Sequence, residues 1–232
     1  MVAAEASHGA CNGFRRPCEL IDCTKECADK ENQKILMVNS IHENEGKSTI
    51  AVNLALNLAK RGKRVLLIDV DMRRPALAKI FDYSVPVGQS LSEFLRGRSS
   101  LKDVMYKSYE FETFRCIFQK SSITDPDKLL DTDQFKKLLQ QAAAHMDYVI
   151  LDTPPLGIVR DSELIASSVD ASLLVIRQDE VRAAEVNDIV DVLDDTGVSV
   201  LGGVLNMVAG DKDGISRGKR YGKYYYEYSD RK

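Results

Sequence analysis

KILMVNSIHENEGKST, residues 34–49, is the stretch on which the fold turns. Its opening, KILMVN, is short, apolar and β-prone, the mark of a buried strand. From Ser48 to Arg61 the pattern is helical, and Gly62 can terminate it. Between them GKS (46–48) closes a Walker A pattern, GxxxxGK[ST], whose backbone N–H groups and helix N-terminus cradle phosphate oxygens. Lys47 would then reach the β/γ-phosphates and the Ser48 hydroxyl would help hold Mg²⁺. Ile41 stands where the first glycine is expected, so the tripeptide draws its weight from the strand before it and the helix after it. An ordinary strand–helix turn is the competing reading.

Outward from this loop, strand and helix signals alternate. RVLLID (64–69), FRCIF (114–118), DYVILD (147–152), SLLVIR (172–177) and SVLGGVLN (199–206) read as buried strands. Thr132 to Met146 sets Phe135, Leu138, Leu139 and Ala142 on one helical face behind Asp131 or Thr132 as a cap, and another helix is expected near 182–194. Near-continuous apolar strands separated by helices predict an α/β fold: a mostly parallel sheet with helices on both faces. The expected organisation is an N-terminal arm (1–33), a P-loop domain (34–207) and a tail (208–232) in which the apolar pattern has stopped.

Two later stretches bear on the loop. VLLIDVDMRRP (65–75) ends a strand with Asp69 and Asp71, and DYVILDTPP (147–155) ends another with Asp152. Ligands of open α/β sheets bind beyond the carboxyl ends of the strands, so these carboxylates should converge on the phosphate loop. A single strand ending in Asp usually means a loop start or a helix cap; three such ends beside GKS supply what phosphoryl transfer needs. They provide a cation for the phosphates, a carboxylate shell for Mg²⁺, and a carboxylate to orient an attacking oxygen.

The ordered set GKST, LLIDVDMRRP and DYVILDTPP, closed by a tyrosine-rich tail, resembles the cytoplasmic bacterial tyrosine kinases, members of the deviant Walker P-loop group that also holds the ParA- and MinD-like ATPases. VGQSLSEFLRG (87–97), TDPDKLL (124–130) and GVLN (203–206) fit the same likeness. The resemblance implies an ATP- and Mg²⁺-dependent autokinase linked to capsule and exopolysaccharide synthesis. By it, Lys47, Asp69, Asp71 and Asp152 are catalytic, Ser48, Asp69 and Asp152 serve the metal, and Asp152 acts through water. Glu45, Gly46, Lys47, Ser48 and Thr49 line the phosphates, while Asn206 contacts adenine. It also implies a separate membrane-embedded activator, the polysaccharide co-polymerase, recruitment to the inner face of the plasma membrane through that partner, and a tyrosine phosphatase.

The tail answers to the same reading. YGKYYYEYSDRK (221–232) gathers Tyr221, Tyr224, Tyr225, Tyr226 and Tyr228, in a poor context for a strand. These phenols are expected to be phosphoacceptors for the chain's own site or a neighbouring subunit's. Residues 210–232 carry seven Lys/Arg and four Asp/Glu, a net of +3. Each phosphotyrosine adds about −1.5 to −2, so two bring the tail to roughly zero or below. The unmodified tail is expected to occupy an active site and hold subunits together, and the phosphorylated tail to be expelled. A sticky docking peptide is the alternative.

Departures from the family pattern set further expectations. The ring-forming Glu-x-x-Arg-x-x-Arg segment falls on NGFRRPC (12–18), where Asn12 and Cys18 replace charged residues and Pro17 disrupts a helix, which puts a salt-bridged homo-oligomeric ring in doubt. Glu43 and Asn44 stand where Pro-Gly is frequent. Asn tolerates left-handed backbone, but Glu43 and Glu45 should oppose phosphate unless they face solvent. His42 occupies the position at which partitioning ATPases carry a lysine that reaches across their dimer, and it reads as a solvated loop histidine. Arg73 and Arg74 are expected either to position an acceptor or to begin a solvated helix.

Composition sets the remaining bounds. A net charge of −3 over 232 residues shows no commitment to nucleic acid. With no run of ~18 apolar residues and no signal-peptide pattern, the sequence reads as cytoplasmic. Cys11, Cys18, Cys23 and Cys27 lack CxxC pairing and read as reduced thiols rather than a zinc site. The alternatives to a kinase are an ATPase switch, a nucleotide-binding chain that has lost catalysis, and an interaction module.

Overall fold

A computed structural model describes residues 34–157 and 161–208. The N-terminal arm, its four cysteines, the segment 12–18 and the tyrosine cluster at 221–228 lie outside the described residues. Strand β1 (Ile35–Ser40) runs into helix α1 (Lys47–Lys60), then β2 (Val65–Asp69). Four one-turn helices follow in the next two stretches. These are α2 (Leu77–Ile80), α3 (Leu91–Leu95) and α4 (Leu101–Val104) before the strands β3 (Met105–Lys107) and β4 (Phe114–Ile117), and α5 (Asp127–Leu130) after them. The described residues continue through α6 (Asp133–His145), β5 (Tyr148–Asp152), α7 (Asp161–Ala166), β6 (Ala171–Arg177), α8 (Ala183–Asp195) and β7 (Ser199–Asn206).

The strands form one sheet of seven in the order β3-β4-β2-β5-β1-β6-β7. Every pairing is parallel except β3 with β4. Two apolar layers flank it, as continuous hydrophobic strands require. On one face α1 buries Ala51, Val52, Leu54, Ala55, Leu58 and Ala59 against Leu36, Val38, Val65 and Leu67. On the other, Phe135, Leu138, Leu139 and Ala142 of α6 pack with Ile165 of α7 and Leu193 of α8 against Leu66, Ile68, Val149 and Leu151. Side chains alternating along β2 thus serve opposite layers. Thr132 caps α6, its hydroxyl accepting the N–H of Phe135 at 3.3 Å, and Gly62 closes α1 at φ 78°.

The strand order brings β1, β2 and β5 together at the centre, and this positions the site. Asp152 lies in register with Asp69 of β2 and with Val38 of β1. The Asp152 carbonyl accepts the N–H groups of Val70 at 2.9 Å and Asp71 at 3.1 Å, curling the end of β2 over the end of β5. All three carboxylates therefore leave the sheet at one edge.

Candidate active site

Beyond β1 the chain turns through residues 41–46 into α1. Asn44 takes φ 61° and Gly46 φ 89°, so the left-handed geometry expected at Asn44 is present. Between them Glu45 turns inward rather than to solvent, with 1% of its surface exposed. One carboxylate oxygen accepts the N–H of Ile41 at 2.7 Å and of His42 at 2.8 Å, and the other accepts the N–H of Arg177 at 3.2 Å. Three backbone donors satisfy this charge, so burial does not leave it bare. Glu43 is neutralised differently, by an ion pair with the Arg74 guanidinium.

Asn206, from the end of β7, lies on the same loop. Its side-chain amide donates to the Glu45 carbonyl at 2.8 Å. A Cβ added at Gly46 would come within 2.2 Å of the Asn206 amide nitrogen, so this close approach needs glycine. Glu45 thus ties the phosphate loop to two strand ends, through its side chain to β6 and its carbonyl to β7.

Lys47 begins α1, and its ammonium lies 3.1 Å from Asp71 Oδ2 with only 13% of the side chain exposed. Burial alone would lower its pKa, but Asp152, Asp71 and Asp69 outweigh that and raise it. The other oxygen of Asp71 accepts the N–H of Arg74 at 3.0 Å. Asp69 Oδ2 accepts the N–H of Leu77 at 3.0 Å, whereas its Oδ1 is buried without a partner. Burial, and then the charge of Asp152, push Asp69 well above the usual carboxylate range.

Both oxygens of Asp152 are buried without a hydrogen-bond partner. Its pKa is pushed up to about 6, chiefly by burial, against the opposing pull of Lys47 and the nearby Ser48 hydroxyl and with a further push from Asp71. Orphaned carboxylate oxygens are costly, and one cation would satisfy them. Among the described residues no cluster of three or more His, Cys, Asp or Glu could hold a metal by itself. Carboxylate oxygens with a neighbouring hydroxyl, and no protein cage, fit Mg²⁺, which keeps waters and takes oxygens from its phosphate ligand. Ser48, Asp69 and Asp152 are the residues that would hold it.

Of these groups Lys47, Ser48 and Asp71 line a cleft of about 480 Å³, together with Gly46, Thr49 and the Pro154–Pro155 wall among others, while Asp69 and Asp152 stay buried. Arg73 and Arg74 both border it, yet each has a structural partner. Arg73 grips Asp161 in a two-pronged pair at 2.6 and 3.1 Å, fixing VLLIDVDMRRP (65–75), the second motif, which follows the loop, to the start of α7. His42 is half-exposed and pairs with Glu185 at the start of α8, at 3.3 Å. The inward role of Glu45 and the partners of Arg73 and Arg74 were absent from the sequence reading. Only a lone Glu beside the loop glycine signalled the first, and nothing local signalled the others.

The family model described as AAA domain matches residues 32–196. Tyrosine-protein kinase CpsD of Streptococcus agalactiae is 32% identical over 195 residues, covering 84% of this chain and 82% of that protein. The kinase domain of the Escherichia coli tyrosine kinase ETK superposes with a TM-score of 0.73 at 30% identity, over 84% of this chain and 76% of that one. The septum site-determining protein MinD of Pyrococcus horikoshii, solved with Mg-ADP, superposes with a TM-score of 0.66 at 21% identity, over 80% and 75% of the two chains. That last likeness carries the fold alone.

Proposed function

Starting from a chain that belongs to the bacterial tyrosine-protein kinases, on a P-loop fold, we propose that it transfers the γ-phosphoryl group of Mg-ATP to tyrosines of its own C-terminal cluster. The carrying observation is the meeting of Lys47, Asp69, Asp71 and Asp152 at one sheet edge, with both Asp152 oxygens unpartnered. The loop N–H groups at the start of α1 and the Lys47 ammonium hold the phosphates and stabilise charge spreading over the transferring group. Ser48 and Asp152, with Asp69 beside them, would hold Mg²⁺, which would supply positive charge against the β/γ-phosphate oxygens. Asp71 is the one of the three aspartates that lines the cleft; it orients the phenol and takes its proton. Pro154 and Pro155 supply an apolar part of the same cleft wall. Asn206, laid on Gly46, places the base relative to the phosphates.

Tyr221, Tyr224, Tyr225, Tyr226 and Tyr228 are the acceptors in this reading, and their accumulating charge regulates capsule or exopolysaccharide synthesis through a membrane-embedded activator. Among the described residues no helix is long and apolar enough to cross a membrane. An ATPase switch is the weaker reading, since His42 stands at the position of the cross-dimer lysine and is paired with Glu185. The test is incubation with Mg-ATP and the activator's cytoplasmic segment, with phosphotyrosine mapped by mass spectrometry beside a Lys47→Met control. Modified tail tyrosines in the wild type alone support the kinase; phosphate release without phosphotyrosine favours the switch.

A further inference from the structure

Four tyrosines lie among the described residues: Tyr83, Tyr106, Tyr109 and Tyr148. Tyr148 is buried in β5. Tyr106 donates its hydroxyl to the Gln89 carbonyl at 3.0 Å, and burial pushes its phenol up to about 12. Tyr83 stacks on Phe118, ring centroids 5.3 Å apart, and tilts against Tyr106 at 4.8 Å. Tyr109 differs from all three. Its relative exposure is 106%, and among the described residues it makes no ring contact or hydrogen bond.

The backbone around Tyr109 is nevertheless fixed. It lies in the turn between β3 and β4, where the Ser108 hydroxyl accepts the N–H groups of Glu110 and Phe111, both at 3.2 Å. Phe111 packs into the apolar layer beneath α1, with the Lys60 ammonium 5.8 Å from its ring. Lys107 and Glu112 pair across the turn at 3.3 Å. The phenol therefore projects from a pinned turn between Ser108 and Glu110, in a stretch (107–112) that carries one Lys and two Glu, a setting of different charge from the cationic tail.

Topology decides which copy of the chain can use it. Strand β4 runs parallel to β2 with Phe114 beside Val65, so the turn sits at the amino end of the sheet. The carboxylates and phosphate loop occupy the carboxyl end, and Val65 to Asp69 alone spans roughly 13 Å of strand. A phenol anchored there does not reach its own site.

We propose that Tyr109 is a phosphoacceptor on the folded domain, modified only by a second copy of this chain; the inference rests on the kinase reading. In the step, Tyr109 Oη bonds to the γ-phosphorus of ATP held by the acting copy. The bond from that phosphorus to the β–γ bridging oxygen breaks, and ADP leaves with the electron pair. The phenolic proton passes to Asp71 of the acting copy. Modification of Tyr109 then reports how often two kinases meet, whereas the tail is open to modification by either route.

The test mixes active wild-type chain with an isotopically heavy chain carrying Lys47→Met and Phe at all five tail tyrosines, with Mg-ATP and the activator segment. The expected result is phosphate on heavy Tyr109, absent when the heavy chain also carries Tyr109→Phe. In wild type alone, tenfold dilution should lower the initial Tyr109 modification rate per chain about tenfold. Tail modification without heavy Tyr109 modification overturns this inference and leaves the kinase reading standing. Tyr109 modification whose rate per chain is indifferent to dilution overturns the second-copy requirement. No phosphotyrosine anywhere overturns both readings.

Discussion

Lys47 Nζ lies 3.1 Å from Asp71 Oδ2, so the cation of the phosphate loop is engaged by the carboxylate that closes the second motif. Under the proposed function a triphosphate drawing on Lys47 would compete with this contact and free Asp71 Oδ2, making binding and activation of the carboxylate one exchange of partners. Asp71→Asn should keep nucleotide affinity within severalfold of wild type, or tighten it, while tyrosine phosphorylation falls at least ~100-fold. Lys47→Met should weaken both. Calorimetric titration with Mg-ADP beside a phosphotyrosine rate separates the two outcomes.

The buried carboxylate of Asp152 makes stability depend on pH. Its folded-state pKa is raised from the ordinary 3.8 to about 6, so the folded state holds its proton more tightly than the unfolded one. The stabilisation is complete below pH ~4 and is lost as pH rises through ~6, by up to about 3 kcal/mol. Without nucleotide or Mg²⁺, the urea midpoint should therefore fall across that window. Asp152→Asn should flatten the fall and stabilise the protein at pH 7, and saturating Mg-ADP should flatten it in the wild type.

Glu45 holds three backbone N–H groups from inside the loop. Glu45→Ala leaves these donors without an acceptor and should cost about 2–3 kcal/mol, with at least tenfold weaker Mg-ADP binding because the loop is no longer preset. Glu45→Gln keeps one carbonyl acceptor and should fall between. Chemical denaturation and nucleotide titration of the same samples check both.

Gly46 and Asn206 are coupled by contact. Gly46→Ala sets a methyl 2.2 Å from the Asn206 amide and strains a backbone at φ 89°. It should abolish measurable nucleotide binding. Adding Asn206→Gly removes the clash but not the strain, so the double variant should recover only part of the affinity.

The Arg73–Asp161 pair holds the second motif against α7. Asp161 is almost fully buried, while the Arg73 side chain is 39% exposed. Arg73→Ala should therefore cost about 2 kcal/mol, at or below the low end for buried pairs. Combined with Asp161→Asn, the loss should be smaller than the sum of the two, by about 1 kcal/mol in a double-mutant cycle.

The central sheet was legible because buried parallel strands are continuous apolar runs. KILMVN, RVLLID and DYVILD each mark their strand to within a residue or so. Strand β3 was not legible. MYK is three residues long, half-exposed, and paired only along one edge, so it carries neither a run nor an alternation. The one-turn helices such as α2 and α5 are shorter than any helical period can reveal. At the site, Lys47 and the three aspartates were readable because the loop and the strand ends are local signals. The inward turn of Glu45 was not, since its donors include Arg177, far along the chain. The grip of Arg73 on Asp161 spans 88 residues and likewise leaves no local trace.

The most direct measurement is the tyrosine phosphorylation rate of Asp152→Asn against wild type at saturating Mg-ATP, with circular dichroism verifying that both are folded. A carboxylate that gathers the metal and triphosphate at this sheet edge predicts a loss of at least ~100-fold. A folded Asp152→Asn chain phosphorylating tyrosine near the wild-type rate would contradict the assembly of the site around Lys47, Asp69, Asp71 and Asp152.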